Sequence, residues 1–298
     1  MHPYSQLRAA LLSLLLLLTC SALVSCTVEA EGPRTLRFTA IPGENTSDLE
    51  EKFRPVAAYL EQTLRVPVEY VPVSSYPASV EAFKNGEVQL AWFGGVTGVQ
   101  ARQAVKGASA IAQGRVDPEY RSYFIAHAST GILPSEEFPQ GLEGRTFCFG
   151  SESSTSGRVM PTYFIQQEVG RAPEDFFSDV RFSGAHDKTA LLVSEGAVEA
   201  GVLSYKTYET LQAAGKLDPE VCRVVWQTPT YQVYNWTSHP ELEKLFGEGT
   251  TERLRTALLE MDDPQLLAAC QRPEGMIAAS NEDYAAIAEV LSAMDFIR

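Results

Sequence analysis

Short apolar runs alternate with amphipathic stretches along this chain. Thr35–Ile41 has the pattern of a strand, and Ser47-Asp48-Leu49-Glu50 then has the form of a helix-initiating capping box. Leu49, Phe53, Val56, Ala57, Leu60 and Leu64 follow at helical spacing, a single apolar stripe. Pro55 lies inside that stripe and is expected to bend or break the helix. Val68–Val73 predicts the next strand, Pro77–Asn85 a short helix closed by Gly86, and Val88–Phe93 a third strand. Gly94-Gly95 leads into a helix from about Thr97, and Ala108–Gln113 and Tyr120–Ala126 are further strands.

The alternation then starts again. Strands are predicted at Thr146–Phe149, Val180–Phe182, Ala200–Leu203 and Arg223–Gln227, with helices at Ser156–Glu168, Asp187–Ser194 and Tyr205–Ala213 between them. The last fifty residues read as entirely helical, most clearly at Glu252–Glu260 and Glu282–Met294. Two such arrays predict an α/β protein with parallel sheets, helices on both sheet faces, two lobes and a helical tail.

The N-terminus changes how much of the chain enters that fold. Arg8 precedes a leucine-rich run through Leu18, and Leu23-Val24-Ser25-Cys26 ends the segment. A basic start, a short apolar core and small residues before a cut predict a signal peptide over residues 1–25. The core is shorter than the roughly 20 apolar residues a membrane span needs. Leu-Val-Ser-Cys resembles a bacterial lipobox, in which Cys26 is the lipidated first residue; an ordinary secretory signal with a chance Cys is the alternative. Residues 26–34 then read as a tether.

Composition is ordinary for a globular chain, 45% hydrophobic and 21% charged in 298 residues, enough for two domains. Loss of residues 1–25 leaves 23 basic and 38 acidic side chains, a net charge of −15. That field repels nucleic acid and anionic membrane surfaces, so an anionic ligand would have to be held by local dipoles. Cys148, Cys222 and Cys270 are odd in number and far apart, which argues for buried small apolar residues rather than a disulfide framework or a zinc site. His2, His127, His186 and His239 are scattered, and neither a metal nor another cofactor is expected.

Candidate chemistry concentrates in Phe149–Pro161, FGSESSTSGRVMP, where five of thirteen residues carry a hydroxyl. Ser154-Thr155-Ser156-Gly157 sits where a helix should start, so unpaired N–H groups, the positive end of the dipole and three hydroxyls converge. Two readings are open: one Ser caps the helix and the rest face water, or the turn cradles an oxyanion. Ser151 and Ser153 read as loop, and Arg158 is expected to face solvent. Gly-Lys-Ser/Thr does not follow, so the turn is not a P-loop, and Gly-x-Ser-x-Gly is missing, so it is not a nucleophile elbow. Ser183-Gly184-Ala185-His186-Asp187 lies at the next strand-to-helix junction, where His186 could donate to an anion and Asp187 cap the helix. Trp92 and Phe93 are core residues by default, though one could wall a cleft; Gly94 and Gly95 permit close backbone approach.

Ser154-Thr155-Ser156-Gly157 with Pro161 and Tyr163, Ser183-Gly184-x-His186-Asp187, Tyr76 before Val80-Glu81-Ala82-Phe83, Asn85-Gly86-Glu87 and Trp92-Phe93-Gly94 together resemble the phosphate/phosphite/phosphonate-binding component of ABC importers. Within that family the "WFGG" and "GSESSTSG" stretches are most similar to its selenate-binding branch. The resemblance covers nearly all of residues 35–298. It implies a type II periplasmic-binding-protein fold, with residues 35–118 and 230–298 in one lobe, 119–229 in the other, and closure by a hinge. It carries ligand contacts over to Tyr76, Ser154, Thr155, Ser156 and His186, with Gly94 and Gly95 in register. It further implies a monomer that hands its ligand to permease and ATPase subunits. Gly201-Val202-Leu203-Ser204-Tyr205 offers no acid for an aminoalkyl group, which favours a smaller oxyanion: phosphonate, phosphite, phosphate or a selenate-like ion. A sensor feeding a separate signalling partner is the alternative, and an enzyme is not expected.

Overall fold

In a computed structural model, residues 34–294 are described; the expected signal peptide over residues 1–25 and Cys26 lie outside them. Strand β1 (Leu36–Ala40) leads into α1 (Thr46–Leu64), β2 (Val68–Tyr70), α2 (Tyr76–Lys84), β3 (Leu90–Phe93), α3 (Gly95–Ala104) and β4 (Ser109–Gly114). The chain then crosses to a second sheet. This sheet contains β5 (Ser122–His127), β6 (Thr146–Phe149), β7 (Asp179–Phe182), β8 (Ala200–Ser204) and β9 (Cys222–Gln227). A π-type turn, Thr155–Val159, and α4 (Met160–Val169) follow β6; α5 (Pro173–Phe176), α6 (His186–Ser194) and α7 (Tyr205–Ala213) complete that lobe. The chain returns through β10 (Asn235–Ser238) to α8 (Glu241–Phe246), α9 (Thr250–Leu259), α10 (Pro264–Ala269), β11 (Met276–Ala278) and α11 (Ala285–Ala293).

The first sheet has the order β11-β4-β10-β3-β1-β2 and the second β7-β6-β8-β5-β9. In each, the strand that follows a crossing runs antiparallel between parallel neighbours: β10 between β3 and β4, β5 between β8 and β9. The wholly parallel sheets expected from the alternation are therefore mixed. Strand β11, paired antiparallel with β4, also corrects the expectation that the last fifty residues are helical. Its three residues have no strand pattern of their own and are held by pairing.

Local chemistry explains the remaining boundaries. Asn45, not Ser47, caps α1, accepting the Ser47 N–H at 2.9 Å. Helix α1 runs through Pro55 without a break: the carbonyl deprived of its partner belongs to exposed Glu51, where water can satisfy it. The buried face, Leu49, Phe53, Val56, Leu60 and Leu64, packs with Phe38 and Trp236 in the core of the first lobe. Phe124, Phe147, Phe177 and Trp226 centre the second core. Cys148, Cys222 and Cys270 are buried free thiols. No helix among the described residues is long and apolar enough to cross a membrane.

The two crossings are tied to each other. Tyr120 and Tyr231 exchange backbone hydrogen bonds of 3.0 and 2.9 Å, and the Val233 N–H donates to the Asp117 carbonyl at 3.2 Å. Both lobes are thus joined through one short antiparallel ribbon, with the carboxyl ends of β1, β3, β6 and β7 facing the cleft between them.

Candidate anion-binding site

Four helical N-termini meet in the cleft. The Ser154 hydroxyl caps the turn after β6, accepting the Gly157 N–H at 3.0 Å, while its carbonyl accepts from both Arg158 and Val159. That shared acceptor opens the first turn to π geometry, and the N–H groups of Thr155 and Ser156 precede the first intrahelical donor. Across the cleft, α3 begins at Gly95, and the Val96 N–H donates to Thr155 Oγ1 at 2.9 Å. Ser154, Thr155 and Ser156 are all buried, and the Ser156 carbonyl accepts from Ser122 Oγ at 2.7 Å.

His186 opens α6, and its N–H donates to the Gly43 carbonyl of the other lobe at 3.0 Å. Its Nδ1 accepts the Ser204 N–H at 3.3 Å, so in the neutral ring Nε2 carries the hydrogen. That Nε2 is buried and has no protein partner. Burial also pushes the imidazole pKa down to about 4, which keeps the ring neutral at pH 7. Tyr76, the first residue of α2, repeats the arrangement: its buried hydroxyl lies beside the Ser154 side chain but outside good hydrogen-bond geometry, and has no other protein partner. Burial raises its pKa, so it remains a protonated donor.

Two glycines make the approach possible. A Cβ on Gly43 would lie 3.3 Å from Tyr76 Oη and 3.5 Å from His186 Cδ2. One on Gly157 would lie 2.9 Å from Ser154 Oγ and 3.1 Å from His186 Cε1. The Nε2 edge of the ring, between those two carbons, is therefore flanked by bare backbone from both lobes.

Tyr76, Gly94, Ser154, Thr155 and His186 come together in this way, since a Cβ on Gly94 would stand 3.1 Å from Thr155 Oγ1. A Cβ on Gly95 would lie 3.2 and 3.3 Å from the Val233 and Gln232 carbonyls at the second crossing and 3.3 Å from Thr155 Cγ2. Trp92 stacks on Tyr234, centroids 5.4 Å apart, and lines a cavity of about 30 Å³ with His186, Gly43 and Ile41. Phe93 points to the opposite face of β3 and packs edge-on against Phe83 in the core.

Two expectations need correction. Arg158 does not face solvent: its guanidinium lies 4.3 Å from the Phe149 ring centroid and bonds Glu174 at 2.9 Å. Asp187 is not the cap of α6, which Ala185 occupies; Asp187 Oδ2 instead accepts the Asn45 N–H across the cleft at 3.2 Å.

Sequence reasoning missed the support beneath the site. Arg272 forms a two-pronged pair with Asp117, 2.8 and 2.6 Å, both side chains essentially unexposed. The guanidinium lies over Tyr234, Tyr120 and Trp92, at 4.6, 5.2 and 5.6 Å. Burial opposes its charge, but the Asp117 carboxylate outweighs that and raises its pKa. The partners are 155 positions apart, and no local signal in the sequence joins them.

Two lobes joined by a double crossing, with repeated 2-1-3 strand order and a cleft lined by polar strand ends, are the type II fold of periplasmic substrate-binding proteins. The chain belongs to the family described as ABC transporter, phosphonate, periplasmic substrate-binding protein, which residues 38–284 match. It is 35% identical over 235 residues to a probable ABC transporter phosphite binding protein, PhnD1, of Prochlorococcus marinus, covering 78% of this chain and 79% of that one. A phosphate-import protein, PhnD, of Mycolicibacterium smegmatis is 34% identical over 217 residues, 67% of this chain and 64% of that one. The solved structure of Prochlorococcus PhnD1 in complex with methylphosphonate superposes with a TM-score of 0.84 at 34% identity, over 89% of this chain and all of that one. These relatives are binding components of transporters, not enzymes.

Proposed function

We propose that this chain captures a small tetrahedral oxyanion of the phosphonate, phosphite, phosphate or selenate-like class in its cleft and delivers it to permease and ATPase subunits. The observation that carries this reading is a pair of buried polar atoms without partners, His186 Nε2 and Tyr76 Oη, beside the Ser154-Thr155-Ser156 turn. Six other buried side-chain atoms among the described residues also lack partners, but these two stand at the first residues of helices in the cleft, where one shared acceptor would satisfy both. The relatives' phosphite and methylphosphonate point to the same class of ligand. No carboxylate stands at Gly201–Tyr205 to meet an ammonium group, which disfavours aminoalkylphosphonates.

The protein acts as a monomer with lobes 35–118 plus 230–298 and 119–229, anchored outside the cytoplasm through lipid on Cys26. Titration calorimetry with phosphite, methylphosphonate, phosphate, sulfate and selenate tests the ligand class; saturable binding of one ion per chain is expected. Failure of all of them to bind below about millimolar, some −4 kcal/mol, defeats the reading. For the anchor, Cys26→Ser should release the protein from membranes, and continued membrane retention would contradict lipidation.

A further inference from the structure

We propose that the cleft selects its oxyanion as a dianion with no protonated oxygen, a form open to phosphite, methylphosphonate and selenate-like ions but not to phosphate near neutral pH, because the polar groups turned into the site are donors while the acceptors around it are already engaged. This rests on the anion-binding reading above and adds the ligand's charge state to it. The imidazole offers Nε2–H, because Nδ1 is occupied by the Ser204 N–H. Tyr76 offers its hydroxyl, and the first turn after Ser154 offers backbone N–H groups.

A protonated ligand oxygen would need an acceptor, and apart from the Ser156 hydroxyl, which is free to turn its hydrogen to the ligand, the nearby oxygens each already accept a hydrogen. Ser154 Oγ accepts from Gly157, Thr155 Oγ1 from Val96, and the Gly43 carbonyl from His186. Both carboxylates near Tyr76 are turned elsewhere. Asp187 accepts the N–H groups of Asn45 and Lys188, at 3.2 and 2.8 Å. Glu44 is bonded to Lys52 and Gln271. If Tyr76 Oη accepted the ligand proton, its own hydrogen would have only the poorly placed Ser154 side chain to turn to.

The other charged and titratable groups around the cleft leave this intact. Lys188 lies at the rim, in a depression of about 380 Å³ that also takes in Asn45, Ser75 and Ser151. Arg272 is bound to Asp117 below, and burial holds Tyr120 and Tyr234 protonated. Protonation of His186 cannot substitute, because a hydrogen on Nδ1 would face the Ser204 N–H, donor against donor. Compensation comes from the four N-termini of α2, α3, α6 and the turn into α4. At roughly half an elementary charge each, they sum to about two, the charge of a dianion.

Phosphorus-31 NMR of methylphosphonate with the purified protein decides the matter, recorded on both sides of the free compound's second ionisation. The bound resonance is expected to stay at the dianion's shift at every pH, while the free resonance titrates. In parallel, calorimetric affinity should fall about tenfold for each pH unit below that ionisation. A bound shift at the monoanion's value, or one that moves with pH, overturns the proposal and leaves anion binding standing. Absence of a bound methylphosphonate resonance at any pH overturns the proposal; failure of the other four oxyanions as well, by calorimetry, overturns the anion-binding reading itself.

Discussion

Tyr76 and His186 each hold a polar atom that folding has taken from water without giving it a partner, at a cost a ligand would relieve. Tyr76→Phe separates this role from packing, because the ring stays and only the hydroxyl goes. Removing an unsatisfied buried hydroxyl should leave the ligand-free protein as stable as before or slightly more so. Affinity for methylphosphonate should fall by about 1.5–3 kcal/mol, the worth of a hydrogen bond to a charged group, or roughly tenfold to a hundredfold. Unchanged affinity by calorimetry would take Tyr76 out of the site. At this scale the sequence was partly legible. The hydroxyl-rich turn and the His186 junction stand out because their composition is unusual for loops between strand and helix. The burial of Arg158 does not, because stacking on Phe149 and Phe182 depends on how β6 and β7 pair.

Helix α6 carries a pH dependence that follows from where it begins. An ordinary histidine titrates at about 6.5, but the imidazole of His186 is pushed down to about 4. Between those values the unfolded chain binds a proton that the native chain does not, so folding weakens as pH falls. The contribution is whole above the unfolded value and is spent as pH drops to the folded one. At about 1.4 kcal/mol per unit, it amounts to roughly 3 kcal/mol. Chemical denaturation of the ligand-free protein against His186→Gln should show the wild type losing stability more steeply over this range; parallel curves would refute the assignment. The elements themselves were legible where periodicity was long, as in α1. Strand β11 was not, because Met276-Ile277-Ala278 suits a helix as well as a strand, and only β4 beside it decides. For the same reason the antiparallel insertion of β10 could not be read from alternation alone.

At the scale of the whole molecule, the cleft is closed by bonds between lobes: Val96 to Thr155, His186 to Gly43, Asn45 to Asp187, and Lys206 to Glu274 at 2.7 Å. Asp117 and Arg272 hold the crossings beneath, and their rings of aromatic neighbours tie the hinge to the cavity wall at Trp92. Such contacts between distant parts of the chain are invisible to spacing and pattern, whereas the family resemblance, resting on several short stretches at once, reached the overall architecture. In the proposed reading, closure of this kind shifts a population toward the ligand-bound state rather than performing chemistry. A crystal structure of the protein with methylphosphonate tests the central claim most directly. The phosphonate oxygens are expected within hydrogen-bond distance of His186 Nε2, Tyr76 Oη and the backbone N–H groups of Thr155 and Ser156. A ligand bound elsewhere, with His186 Nε2 and Tyr76 Oη still unpaired, would contradict it.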